Sequence, residues 1–333
     1  MTTYRDAVLE GTLEAEQLHA DIAAATGSVM GTGAIDVFNL IEERNILLVF
    51  QKLGGLLGAF LNLERPGILV TTERTLAIQR FTAAHELGHA VLKHSASVDD
   101  DSILSRSPFG RSHYDLKEMA ADTFAAMFLM PETLINAIAE KQKWNEHSIR
   151  RPEVVYQMSL RLGVSYEALA RTLVRHGILA RNESVELLRS PVKSLKQRLL
   201  GDSVVPPNWY CNVWDLTEND MGSSLTAEPN DYFVVRLREM AGAGYLWNID
   251  QAREAGFHII SDRRNLAYGI GIGSDVERVF TAQTKMSKSS VFTAIQVRPY
   301  DASDIAASLR VDVHVNKAEI GFTPRHRMEA LAA

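Results

Sequence analysis

The chain has almost no cysteine. Cys211 stands alone among 333 residues, which excludes an internal disulfide framework and a thiolate metal knuckle and agrees with a reducing compartment. A long apolar run is also missing. The longest uncharged apolar stretch, 53–63, is broken by Gly54, Gly55 and Gly58, and it falls far short of the ~20 residues a spanning helix needs. Where a secretory leader would carry its apolar segment, the N-terminus carries Asp6, Glu10, Glu14 and Glu16, so the expectation is a cytoplasmic protein with no membrane partner. Excess positive charge is lacking too. A net charge of −6 argues against indiscriminate binding to nucleic acid or anionic lipid.

What is present describes a folded, soluble chain. Hydrophobic residues make up 46% and charged ones 23%, which excludes both disorder and a membrane bundle, and the length suits two domains. The charge is uneven: −8 over 1–146, +6 over 147–198 and −4 over 199–333. A basic middle between acidic ends points to a nucleic-acid activator or an acidic partner face, against the plainer alternative of a solvated helix surface.

Periodicity divides the chain the same way. Helical spacing over 4–25 and 36–44 is followed by β-branched runs at 46–50 and 67–71, with 53–63 reading as a core strand and turn. Helices are expected again at 79–92 and 116–130, separated by a polar loop over 99–111. A helix-turn-helix outline covers 153–162 and 166–176, with Gly177 as a stop, and a linker-like stretch leads to Pro206 and Pro207. Beyond it, short alternating runs at 232–238, 256–260, 276–283, 291–297 and 309–315 read as strands. In the last of these, Leu309, Val311, Val313 and Val315 share one face. The fold class expected is α+β, in three parts: 1–146, a helical extension and linker at 147–198, and a β-sandwich at 199–333.

The chemistry concentrates at His85-Glu86-Leu87-Gly88-His89. Positions i and i+4 share a helix face, so the two imidazoles converge as ligands of one metal ion, and Glu86 beside them can take a proton from a water at that metal. The third ligand comes from His94, His113, Asp115 or Glu118. Glu118 is favoured because it opens the next helix, with Asp122 one turn later positioned to accept the outer N–H of a ligating histidine. Two histidines and one glutamate leave a fourth zinc position open, the arrangement of a catalytic site rather than a structural one. Arg111, His113 and Tyr114 are loop candidates for stabilising an oxyanion.

The segments Arg80 to His89 and Glu118 to Pro131, with Leu162-Gly163-Val164-Ser165 after them, resemble the ImmA/IrrE family of zinc metallopeptidases over roughly 1–179. The resemblance implies a zincin-like helical domain with a small sheet, zinc on His85, His89 and Glu118, and Glu86 as general base and acid. It also implies a substrate, a cytoplasmic helix-turn-helix transcriptional repressor on a separate chain, whose loss derepresses a stress, mobile-element or defence operon. In the C-terminal half, Gly244-Tyr245-Leu246-Trp247, the glycine-rich 269–273 and Arg298-Pro299-Tyr300 resemble chagasin-type cysteine peptidase inhibitors, which are Ig-like sandwiches. That resemblance nominates Tyr245, Trp247, Arg298 and Tyr300 as partner-binding loop residues. Arg150, Arg151, Arg171 and Arg175 are the candidates for DNA or repressor contact. The alternative function is a non-catalytic binding protein, either an anti-repressor or a chagasin-like inhibitor. The oligomeric state stays open.

Overall fold

The computed structural model describes residues 3–26, 33–95, 97–100, 115–266, 275–284, 289–323 and 326. Helices and small sheets are segregated along the chain, as the α+β expectation requires. Residues group into two compact units: 1–135, 162–176 and 318–333 in the first, and 136–161 and 177–317 in the second.

The first unit opens with α1 (Tyr4–Thr26) and α2 (Val37–Glu43), and continues through β1 (Leu47–Gln51), β2 (Leu56–Leu61) and β3 (Gly67–Thr71). Next come α3 (Leu76–Val91), β4 (Ser97–Asp100) and α4 (Leu116–Leu129). The polar loop expected from position 99 is corrected at its start. Residues 97–100 pair antiparallel with β2, Ser97 opposite Phe60, because the exposed edge of β2 offers backbone partners that sequence polarity does not reveal. The sheet runs 321–322, β1, β3, β2, β4. Its first strand is Gly321–Phe322, which pairs antiparallel with β1. Gln79 on α3 secures that returning segment, donating to the Glu319 carbonyl at 3.0 Å and accepting from the Glu319 N–H at 2.8 Å.

Small residues bring the helices close together. A Cβ on Gly11 of α1 would lie 2.2 Å from the Ala120 carbonyl oxygen, and one on Gly88 of α3 would lie 3.2 Å from the Ala121 Cα. Both glycines therefore set how near α4 comes to its neighbours. The helix Tyr166–Arg175 belongs to the same unit, and Ser165 caps it by accepting from the Ala168 N–H at 3.1 Å. The turn before it uses Gly163 at φ +66, whose carbonyl accepts from Arg80 Nε at 3.1 Å.

In the second unit the linker-like stretch is helical, Arg181–Leu188 and Val192–Leu200. The first buries one leucine, Leu187, and the second buries three, Leu195, Leu199 and Leu200, too short a stripe to stand out as periodicity. The sandwich follows as β5 (Val213–Leu216), β6 (Ser223–Ala227), β7 (Tyr232–Glu239) and β8 (Leu246–Asn248). It is completed by β9 (Phe257–Leu266), β10 (Val276–Thr284), β11 (Ser290–Arg298) and β12 (Asp301–Val315). Its sheets are β5-β7-β10-β9 and β6-β12-β11-β8. Both contribute to one core, in which Phe257 meets Phe292 edge-on at 5.1 Å and Phe280 stacks on Phe292 at 5.8 Å. Leu309, Val311, Val313 and Val315 all point into that core.

Candidate metal centre

Helix α3 places His85 and His89 one turn apart, fully buried, and α4 delivers Glu118 from its first turn. The two Nε2 atoms are 3.0 Å apart. Glu118 reaches His85 Nε2 at 3.3 Å and His89 Nε2 at 3.5 Å, and one ligand atom from each residue fits within a 4.8 Å span. Burial alone would raise the Glu118 pKa. Hydrogen bonding to His85 and His89 outweighs it and holds the carboxyl far below the usual carboxylate range.

The outer ring nitrogens are anchored as well. His85 Nδ1 lies 2.9 Å from Asp122 Oδ1, and His89 Nδ1 lies 2.9 Å from His94 Nδ1. Burial first, then the neighbouring His89 and Lys117, pushes the His94 pKa down to about 4, so His94 is neutral at pH 7 and can accept a hydrogen bond from the His89 ring. A cation replacing the Nε2 protons that bond Glu118 would meet two ring nitrogens and a carboxylate facing the same small space. That is a donor set a cation satisfies, and its two nitrogens and one oxygen suit zinc.

Glu86 is buried beside the histidines, and its Oε2 accepts from the Ser97 hydroxyl at 2.9 Å. Gly58 on β2 lies against it: a Cβ there would sit 2.6 Å from Glu86 Oε1 and 2.5 Å from Thr82 Cγ2. Ser97, Gly58 and the place of His94 against His89 went unrecognised in the sequence. The first two come from a sheet edge and a strand remote in sequence from the motif. His94, five residues past His89, gave a spacing signal that its loop setting obscured. Arg111, His113 and Tyr114 lie outside the described residues.

The other nominated residues divide. Arg150 pairs with Glu183 at 2.6 Å in the second unit, where Arg151 is exposed. Arg171 pairs with Glu167 in the first unit. Arg175, nominated for DNA or repressor contact, is half-buried in the first unit, with its Nη1 buried. Arg161, from the same basic segment, is also buried and bonds Asp220 at 2.8 Å.

In the sandwich, Tyr245 donates to Asp304 at 2.9 Å under the Arg298 guanidinium, which lies 4.7 Å from the ring centre, and Tyr300 is 80% exposed. Trp247 is a second correction. It lies in β8 with 3% exposure, its indole donating to the Arg238 carbonyl at 2.9 Å, so it packs the core rather than a partner. The glycine-rich 269–273 lies outside the described residues. Among the described residues, no helix is long and apolar enough to cross a membrane.

Residues 41–174 match the family model Peptidase_M78, IrrE N-terminal-like domain. Solved structures similar to parts of the chain include a cysteine protease inhibitor from Entamoeba histolytica, at 20% identity over 33% of this chain and 100% of that one, with a TM-score of 0.30. PbICP-C in complex with falcipain-2 is 14% identical over 35% and 100%, with a TM-score of 0.23. A Mycobacterium tuberculosis transcriptional regulator is 12% identical over 84% and 76%, with a TM-score of 0.30. No curated protein matches the chain.

Proposed function

We propose, from the premise that residues 41–174 are an IrrE N-terminal-like peptidase domain, that the chain is a zinc-dependent endopeptidase acting in the cytoplasm on a helix-turn-helix transcriptional repressor. Cleavage relieves repression of a stress, mobile-element or defence operon. The observation that carries this reading is the cluster of buried His85 and His89 with half-buried Glu118, their ligand atoms within 4.8 Å of one another, and buried Glu86 on the same helix as the histidines. Bound there, zinc would supply Lewis-acid chemistry, acidifying a water and polarising the scissile carbonyl.

The chain's own residues do the rest. Asp122 and His94 hold the outer ring nitrogens, so that both ligating lone pairs face inward. Glu86, oriented by Ser97, takes the proton from the attacking water and delivers it to the leaving amine nitrogen. The basic segment 147–198 offers Arg150 and Arg151 to a nucleic-acid activator or an acidic repressor face. Tyr245, Arg298 and Tyr300 form a protein-docking surface on the sandwich, with aromatic and arginine side chains of the kind that dominate binding hot spots.

The test is incubation of the full chain and zinc with a helix-turn-helix repressor encoded beside it. Discrete repressor fragments are expected, and both a chelator and Glu86→Gln abolish them, the variant retaining its zinc. A repressor that stays intact while binding wild type and Glu86→Gln equally would replace this reading with that of an anti-repressor.

A further inference from the structure

Helix α1 lies outside residues 41–174, which match the peptidase family model, and its apolar side chains are arranged against the usual pattern. Its buried side is built from small residues, Ala7, Gly11 and Ala15, followed by Leu18. Leu9 and Leu13, one turn apart, point the other way and are 56% and 53% exposed. A surface helix ordinarily turns its large apolar side chains toward the core. These two leucines contribute little to holding α1 on its unit.

The charge around them has one sign. Glu10 precedes Leu13 by three residues and Glu16 follows it by three, a spacing that puts all three on one helix face, and both acids are exposed. Across α1 five acids stand against one arginine, Arg5, and no lysine. Glu10 and Glu14 are four residues apart, so like charges meet along the helix and lower its stability. Exposed leucines and a repelling pair of glutamates both disfavour the free chain, and a cationic partner with an apolar centre would relieve both.

Charge also sorts the occupants. A second copy of this chain would bring the same acids face to face, and an anionic lipid surface would be repelled. A repressor that binds DNA has the required sign, because it carries lysines and arginines that neutralise phosphates. We propose that the outward face of α1 docks the repressor through a cationic patch with an apolar centre, Leu9 and Leu13 making the apolar contact and Glu10 and Glu16 the charged rim. The identity of the partner rests on the peptidase reading above. None of these residues belongs to the metal centre, so docking and the cleavage step are separable.

The test measures binding of the helix-turn-helix repressor encoded beside the chain to full-length Glu86→Gln, by anisotropy of labelled repressor, together with cleavage and zinc affinity of the chain with Glu86 intact. Leu9→Ser combined with Leu13→Ser should weaken binding about tenfold or more and raise the KM for cleavage, at unchanged kcat and zinc affinity. Glu10→Gln combined with Glu16→Gln should slow association about threefold to tenfold and flatten its dependence on salt. Should the leucine pair fail to fold, the glutamate pair decides. Undiminished affinity in the folded leucine pair, or an unchanged association rate in the glutamate pair, overturns the docking surface and leaves the peptidase reading standing. A repressor that binds through this face but stays intact keeps the surface and removes the peptidase reading. One that neither binds nor is cut removes both. A dimer of the full chain that the leucine pair dissociates would place a second copy on this face and overturn the proposal.

Discussion

Replacing Asp122 by Ala should weaken zinc binding without touching a ligand. The carboxylate lies 2.9 Å from His85 Nδ1, and the histidine side chain is fully buried. In the variant, His85 Nδ1 loses the carboxylate 2.9 Å away, where the surrounding protein leaves little access for water. A buried donor left unpaired costs about 1–3 kcal/mol, and at 1.4 kcal/mol per decade this becomes about 5–150-fold in zinc affinity. The same range follows from the 10–100-fold losses that accompany removal of partners behind metal ligands. Competition with a chromophoric chelator reads the affinity directly and needs no substrate. Asp122→Asn, which keeps one acceptor oxygen, should lose less than Asp122→Ala. Equal zinc affinity in wild type and Asp122→Ala would refute the reasoning, because the ring would then need no external anchor.

Other perturbations follow from the same geometry. Gly58→Ala forces a Cβ against Glu86 Oε1 and Thr82 Cγ2, at 2.6 and 2.5 Å, and should cost about 1–3 kcal/mol of stability. Displacing the base by a fraction of an ångström should slow repressor cleavage by up to about 100-fold at unchanged zinc content; full activity would show that the base is not held by this contact. Gly11→Ala should destabilise the fold in denaturant titrations, since a clash at 2.2 Å with the Ala120 backbone oxygen outweighs the ~1 kcal/mol that alanine gains in helix propensity; a more stable variant would contradict it. Glu228 has its pKa raised from 4.5 to about 7, by burial first and then by Asp231. The folded state therefore keeps a proton that the unfolded chain releases, and the associated stability is complete below about pH 4.5 and lost as pH rises toward 7. Glu228→Gln should match wild type near pH 4.5 and be more stable by about 3 kcal/mol at pH 8; a pH-independent difference in Tm would refute this.

Much of the first unit was legible because its signals are local. An i, i+4 pair on a helix, a glutamate opening the next helix and small residues between them constrain geometry whatever surrounds them. Alternation in β12 identified its inward face for the same reason. The rest depended on pairing across distance. β4 becomes a strand only because β2 leaves an edge for it, and Ser97 reaches Glu86 only through that pairing. Trp247 lies in a three-residue strand, too short to show alternation, so its inward direction was invisible. The basic segment misled in a different way: Arg161 and Arg175 carry charge in the sequence, yet Arg161 is buried on Asp220 and Arg175 is half-buried with its Nη1 covered. Charge counted along a chain does not say which side of a helix it occupies.

Zinc-edge anomalous diffraction from crystals of the full chain tests the central claim most directly. The account predicts one zinc ion bonded to His85, His89 and Glu118 at about 2.0–2.2 Å, with a water in the fourth position. Zinc closed off by a fourth protein ligand such as His94, or bound away from His85 and His89, would contradict a catalytic centre and leave the ion a structural brace.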